Sequence, residues 1–225
     1  MKKPEVDYRT FRLSRICEPQ FSHLILLLDW AGFFVMFFLT EKLIPAEACF
    51  PVWCKLDDAI PFCEWFLIPY VFWYFWIAFS LIYFLLYHVE SFRKLQIYII
   101  ITQVIAMTAY ILCPTRQDLR PLVFARDNFL TRGVAFLYSI DTNTGVCPSL
   151  HVAYSLGIAS VWVKEKGAHP AWKAFVTVTA ALICLSTMFI KQHSAVDFFA
   201  AMPVCALAEY LVFNRHPRKR SRGMP

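Results

Sequence analysis

The chain has 225 residues, of which 59% are apolar, 17% aromatic and only 17% charged, with a formal net charge of +6 and a mean hydropathy of +0.51. A soluble domain of this length carries roughly 25% charged residues, and here the charges fall in short clusters between long uncharged runs. The composition excludes an ordinary water-soluble domain and indicates one all-α integral membrane bundle, with no linker, repeat or low-complexity segment to divide residues 1–225.

Residues 1–22 are polar and basic and are expected on the cytoplasmic side. They do not read as a cleavable signal, because no small-residue cleavage site follows the first apolar run. A first span is predicted at 23–44, apolar but containing Asp29. "CKLDDAIPFCEW" at 54–65 then carries Asp57, Asp58 and Glu64, an acidic rim that is either solvated or in contact with a headgroup. Residues 65–87 and 95–113 contain no charged side chain, and each is long enough as a helix to cross a core about 30 Å thick. Further spans are predicted at 148–163, 170–190 and 194–213, the last containing Asp197 and Glu209. Six transmembrane helices result, followed by a basic cytoplasmic tail at 214–225.

Lysine and arginine set the orientation. With six spans, fifteen of the 22 positive residues fall on the side that holds both termini, which places the termini in the cytoplasm. The net charge then marks topology and contact with anionic lipid, and no nucleic-acid partner is implied. Cys49, Cys54, Cys63, Cys113 and Cys147 fall on or near the outer side, where one disulfide is possible. No pair has zinc-site spacing.

Three polar clusters fall on the outer face. The 34-residue loop 114–147 is long enough to be functional or disordered. Against the positive-inside bias, it carries Arg116, Arg120, Arg126 and Arg132, either as a solvated loop or as an anion site built from guanidinium forks. In "CPSLH" at 147–151, Pro148 suits a helix start, which places Ser149 and His151 among unpaired first-turn amides that favour an anion. In "STMFIKQHSAVD" at 186–197, His193 and Asp197 are spaced i, i+4, so one helix face brings the carboxylate to the ring.

P-S-L-H at 148–151, followed by S-T-x5-H-x3-D at 186–197 and preceded by Arg120-Pro121, resembles the type-2 phosphatidic acid phosphatase superfamily. That family's pattern is K-x6-R-P, P-S-G-H and S-R-x5-H-x3-D. Cys113 stands where its lysine would be, Leu150 replaces the glycine and Thr187 the arginine. These departures are closer to the inositol phosphorylceramide synthase and sphingomyelin synthase branch. The resemblance covers Arg120 to Asp197, within a core of about 95–213.

The resemblance implies cofactor-free, metal-independent phosphoryl transfer on the extracytoplasmic face of the plasma membrane, acting on a lipid phosphate. His193 would be the nucleophile, Asp197 its orienting partner and His151 the general acid and base. Arg120, Ser149 and Ser186 would hold the phosphoryl oxygens, with Arg116 or Lys191 standing in for the missing cations. Water as acceptor gives a lipid phosphatase; an alcohol gives a headgroup phosphotransferase. The competing readings are a non-catalytic lipid-binding protein, a transporter, and a metal hydrolase ligated by His151, His193 and Asp197.

Overall fold

The computed structural model describes residues 3–214. Lys2 and the basic tail from 215 onward, both used above for orientation, lie outside the described residues. Eight α-helices form among the described residues: α1 (Leu28–Leu43), α2 (Lys55–Ala59), α3 (Leu67–Tyr87), α4 (Val89–Leu112), α5 (Phe129–Ile140), α6 (Leu150–Lys164), α7 (Pro170–Phe189) and α8 (Ala195–Glu209). Two short strands, β1 (Phe50–Pro51) and β2 (Thr115–Arg116), pair in parallel, and Arg116 also bridges to Thr144. This small sheet ties three loops together.

Five helical segments are long and apolar enough to cross a membrane: Ser22–Leu43, Glu64–Tyr87, Val89–Leu112, Pro170–Phe189 and Ala195–Asn214. The all-α membrane bundle is therefore as expected, and the fourth predicted segment is its shortest. The segment predicted as the fourth span is α6, whose 15 residues give a rise of ~22 Å, short of a ~30 Å core. Its apolar composition serves burial inside the bundle. α6 packs on α7, α4, α8 and α3 and buries Val152, Tyr154, Ile158 and Val161 almost completely. α1 is the opposite case, with no buried residue of its own.

The core is an aromatic and aliphatic cluster that includes Phe84, Phe92, Leu95, Tyr98, Ile99, Ile158 and Ile183. α4 and α6 meet closely where Gly157 faces Tyr98. A Cβ at Gly157 would lie 2.5 Å from Tyr98 Cδ1, so only glycine fits this crossing. Loop 114–147 is neither structureless nor wholly solvated. α5 starts on an Asn128–Thr131 capping box and buries Val134 and Leu137 against Leu67, Tyr70 and Ile190. All eight cysteines are free thiols.

Gly157→Ala is expected to destabilise the bundle by about 1–3 kcal/mol through overpacking. A melting curve in detergent checks this against Gly32→Ala, where the added Cβ meets nothing within 4 Å. The control should melt no lower than the parent chain, because alanine is the better helix former.

Candidate active site

The site begins where α7 stops. Lys191 takes a left-handed conformation (φ 55°) just past the helix end, a position where glycine is usual. The turn is secured because the amides of Gln192 and His193 both donate to the Thr187 carbonyl, at 2.9 and 3.0 Å. The Lys191 ammonium donates to the carbonyls of Asp57 (2.8 Å) and Ile60 (2.5 Å) at the end of α2. Its pKa is lowered by burial, against the pull of Asp57 and Asp58. Lys191 is thus committed to α2 and does not line the cavity described below. The turn it makes brings Gln192 and His193 back over the bundle.

Ser194 then caps α8. Asp197, three residues on, returns the bond through Oδ2, which accepts from the Ser194 amide at 3.0 Å. The same oxygen lies 3.2 Å from His193 Nδ1. Asp197 is fully buried and His193 nearly so. With Nδ1 held by the carboxylate, Nε2 is the ring nitrogen left for chemistry. The loop is clamped from outside by a residue expected to be solvated. Asp57 is buried, and its carboxylate accepts from Ser194 Oγ (2.6 Å), the Ala195 amide (2.7 Å) and the Cys54 amide (2.8 Å). Glu64, from the same expected rim, is also buried and bonds Asn128 Nδ2 at 3.1 Å.

The N-terminus of α6 meets α8 directly, because the Ser149 amide donates to the Asp197 carbonyl at 3.2 Å. Ser149 caps α6, its Oγ 3.5 Å from the Val152 amide. Tyr110 Oη holds the preceding coil through the Pro148 carbonyl at 2.7 Å. His151 stacks on Tyr70 (centroids 4.4 Å) and lies 4.0 Å from the Trp73 ring. Its ring is 5.6 Å from that of His193, and its Nε2 is buried without a partner. Burial first, and the adjacent Asp197 charge second, push the Cys147 thiol up to about 12.

Arg120 closes the outer side. Nη1 donates to the carbonyls of Tyr138 (3.2 Å) and Asp141 (3.0 Å), and Nη2 to the Thr142 carbonyl (2.7 Å) and Gln192 Oε1 (2.6 Å). Four of its five N–H groups are therefore engaged, and Nε alone is unpartnered. Gln192 Nε2 in turn donates to Asp141 Oδ2 at 3.0 Å. Burial lowers the Arg120 pKa and raises that of Asp141, each opposed by the other's charge.

Asp141, His151, Gln192 and His193 line a cavity of about 60 Å³ together with Tyr70 and Thr142, room for about two waters at ~30 Å³ each. An apolar groove of about 460 Å³ between α1 and α3 is lined by Trp30, Phe33, Phe37, Trp73 and Leu81. Asp141 and His151 line it as well. Of the residues singled out from sequence, His151, His193 and Asp197 come together, Ser149 joins them through α6, and Arg120 borders them through Gln192. Ser186 turns its hydroxyl into α7, to the Ile183 carbonyl at 2.6 Å. Arg116 bonds Asp118 (3.0 Å) and the Ala46 carbonyl (2.8 Å), away from the cavity. Tyr70, Asp141 and Gln192 escaped the sequence reading, and Asp57 was read only as part of an acidic rim. No spacing rule announces them, because each acts across elements far apart in the chain.

Among the described residues no group of three His, Cys, Asp or Glu side chains is arranged to hold a metal ion. No model of a known family, no curated protein and no solved structure matches the chain.

Two outcomes test this geometry. Asp57→Ala strands three donors, two of them in the α8 cap. It should lower the melting temperature well beyond the exposed Asp58→Ala, at ~1–3 kcal/mol for each unsatisfied buried donor. Alkylation at pH 8 followed by mass spectrometry should label exposed Cys17 and Cys113 while sparing Cys147, whose thiolate fraction there is about 10⁻⁴.

Proposed function

We propose that this chain is a membrane lipid phosphatase that hydrolyses a lipid phosphate or diphosphate through a phosphohistidine, in the manner of the type-2 phosphatidic acid phosphatase superfamily. One observation carries the reading. A His193–Asp197 pair at 3.2 Å stands 5.6 Å, ring to ring, from His151, which also lines an apolar groove. A lipid tail fits the groove, and its phosphate then meets both imidazoles.

In this reading His193 Nε2 attacks phosphorus, and the bond from phosphorus to the lipid oxygen breaks. His151, protonated, gives its proton to the departing alkoxide. Water then attacks the phosphohistidine while His151 takes a proton from it, and phosphate leaves with His193 restored. Asp197 stabilises the positive charge that His193 acquires. The first-turn amides of α6, Ser149 and Arg120 Nε are the donors for the phosphoryl oxygens. The chemistry asks mainly for positioning and charge, and this donor set supports a route without metal. The lysine and arginine distribution supports cytoplasmic termini and a site on the extracytoplasmic face of the plasma membrane.

A second reading is transfer of the phosphoryl-bearing headgroup to an alcohol. The poverty of cations favours it: Arg116 and Lys191 are engaged elsewhere, and Arg120 keeps one free N–H.

Purified protein in detergent, with EDTA throughout, is expected to release phosphate from short-chain phosphatidate or an isoprenyl diphosphate. His193→Ala should abolish release, and His151→Ala should slow it by about 10²–10⁴. Release that survives His193→Ala overturns the phosphohistidine. Loss of activity in EDTA returns the reaction to a metal hydrolase.

A further inference from the structure

Asp141 is the one charged side chain in the candidate site that the proposed phosphoryl transfer leaves without a task. It ends α5 as its C-terminal cap. It lines both the small cavity with the two histidines and the apolar groove. It therefore stands at their junction. A lipid whose phosphate occupies the cavity and whose tail occupies the groove brings to Asp141 the few atoms that link the two.

Within the fold the charges of Arg120 and His193 pull on this carboxylate, and the Tyr70 hydroxyl bonds it. The Arg120 guanidinium bonds the Asp141 backbone carbonyl, and Gln192 Nε2 donates to Oδ2. Beside a bound phosphate, an ionised carboxylate is repulsive unless the ligand offers it a donor. A linking segment made only of methylenes strips the carboxylate of water and returns nothing. A hydroxyl or ammonium at that place pairs with it. Sites built around a buried polar group reject ligands that lack the matching partner far more strongly than apolar pockets discriminate by size.

We propose that Asp141 is a specificity-determining residue that selects lipid phosphates carrying a hydroxyl or ammonium group within a few atoms of the phosphate ester. The inference rests on the lipid-phosphate reading of the site. It ranks plain alkyl and isoprenyl phosphates below lipids with a polar backbone, such as sphingoid-base or monoacylglycerol phosphates.

The test compares sphingosine 1-phosphate with octadecyl phosphate, two probes of equal chain length that differ at the linking atoms. Phosphate release and equilibrium binding are both measured on the purified full chain in detergent. The parent protein is expected to favour sphingosine 1-phosphate at least tenfold in kcat/KM and in affinity. Asp141→Leu should erase that preference, with the loss falling far more heavily on sphingosine 1-phosphate than on octadecyl phosphate. Asp141→Asn, which still accepts from Gln192, serves as a second variant with the fold preserved, and it should lose most of the preference. Equal treatment of the two probes by the parent, or an equal loss on both in the variants, overturns the proposal. If neither probe is hydrolysed, the phosphatase reading fails separately, and the binding preference with its loss in the Asp141 variants still decides the role of Asp141.

Discussion

The geometry of the site depends on one buried carboxylate that belongs to neither of its helices. Asp57 projects from α2 and accepts three hydrogen bonds, two of them from the first residues of the α8 cap. Hydrogen bonds to a charged group contribute ~1.5–3 kcal/mol each, and leaving their donors unpaired costs a similar amount. That is enough to fix the position of the five-residue turn at 190–194. The turn matters because Asp197 both caps α8 and holds His193 through a single oxygen. A shift of the cap therefore reorients the imidazole. Lys191 closes the same loop from the other end, its ammonium on the α2 carbonyls. The short helix α2 thus works as a splint for the α7–α8 turn.

The second constraint is charge. A pocket for phosphate is normally rich in cations, and here the neighbouring guanidinium is largely consumed in holding the end of α5 and Gln192. Its carbonyl contacts tie down residues 138–142, the segment that carries Asp141 to the cavity. Arg120 therefore has a structural role whatever else it does, and replacing it disturbs α5 before it disturbs any ligand. The remaining positive potential comes from backbone amides, chiefly at the start of α6. That supply is modest, and it suits a site where the substrate's own polar groups contribute to recognition.

The long uncharged runs made most of the bundle legible, since lipid demands internally bonded helices. The i, i+4 spacing placed Asp197 on His193, because that pairing is local to one helix turn. Composition alone did not describe α6. An apolar run reads the same whether it faces lipid or the middle of a bundle, and the difference lies in its length and in Gly157 against Tyr98. Proximity misled at Lys191, two residues from His193 in sequence. The left-handed backbone there sends the side chain to α2. Asp57 looked solvated for the same reason. Its partners lie 137 and 138 positions away, and nothing near it in the chain reports them.

The weakest-packed helix borders the groove. α1 buries no residue fully and meets the bundle through aromatic faces, with Trp30 donating to Gln96 at 3.2 Å and packing edge-on against Tyr154. Across the groove, α3 is anchored along its length by Trp73, Trp76, Ile77 and Phe84. One wall is therefore fixed and the other is held by few buried contacts, so the groove widens most easily by displacement of α1. His151 is fastened to the fixed wall, stacked on Tyr70 and Trp73 of α3. A tail that parts α1 from α3 thus leaves the imidazoles where Asp57 and α3 have set them. In the proposed reaction, lipids of different bulk would meet the same chemical geometry, and selection would fall to the polar atoms next to the phosphate.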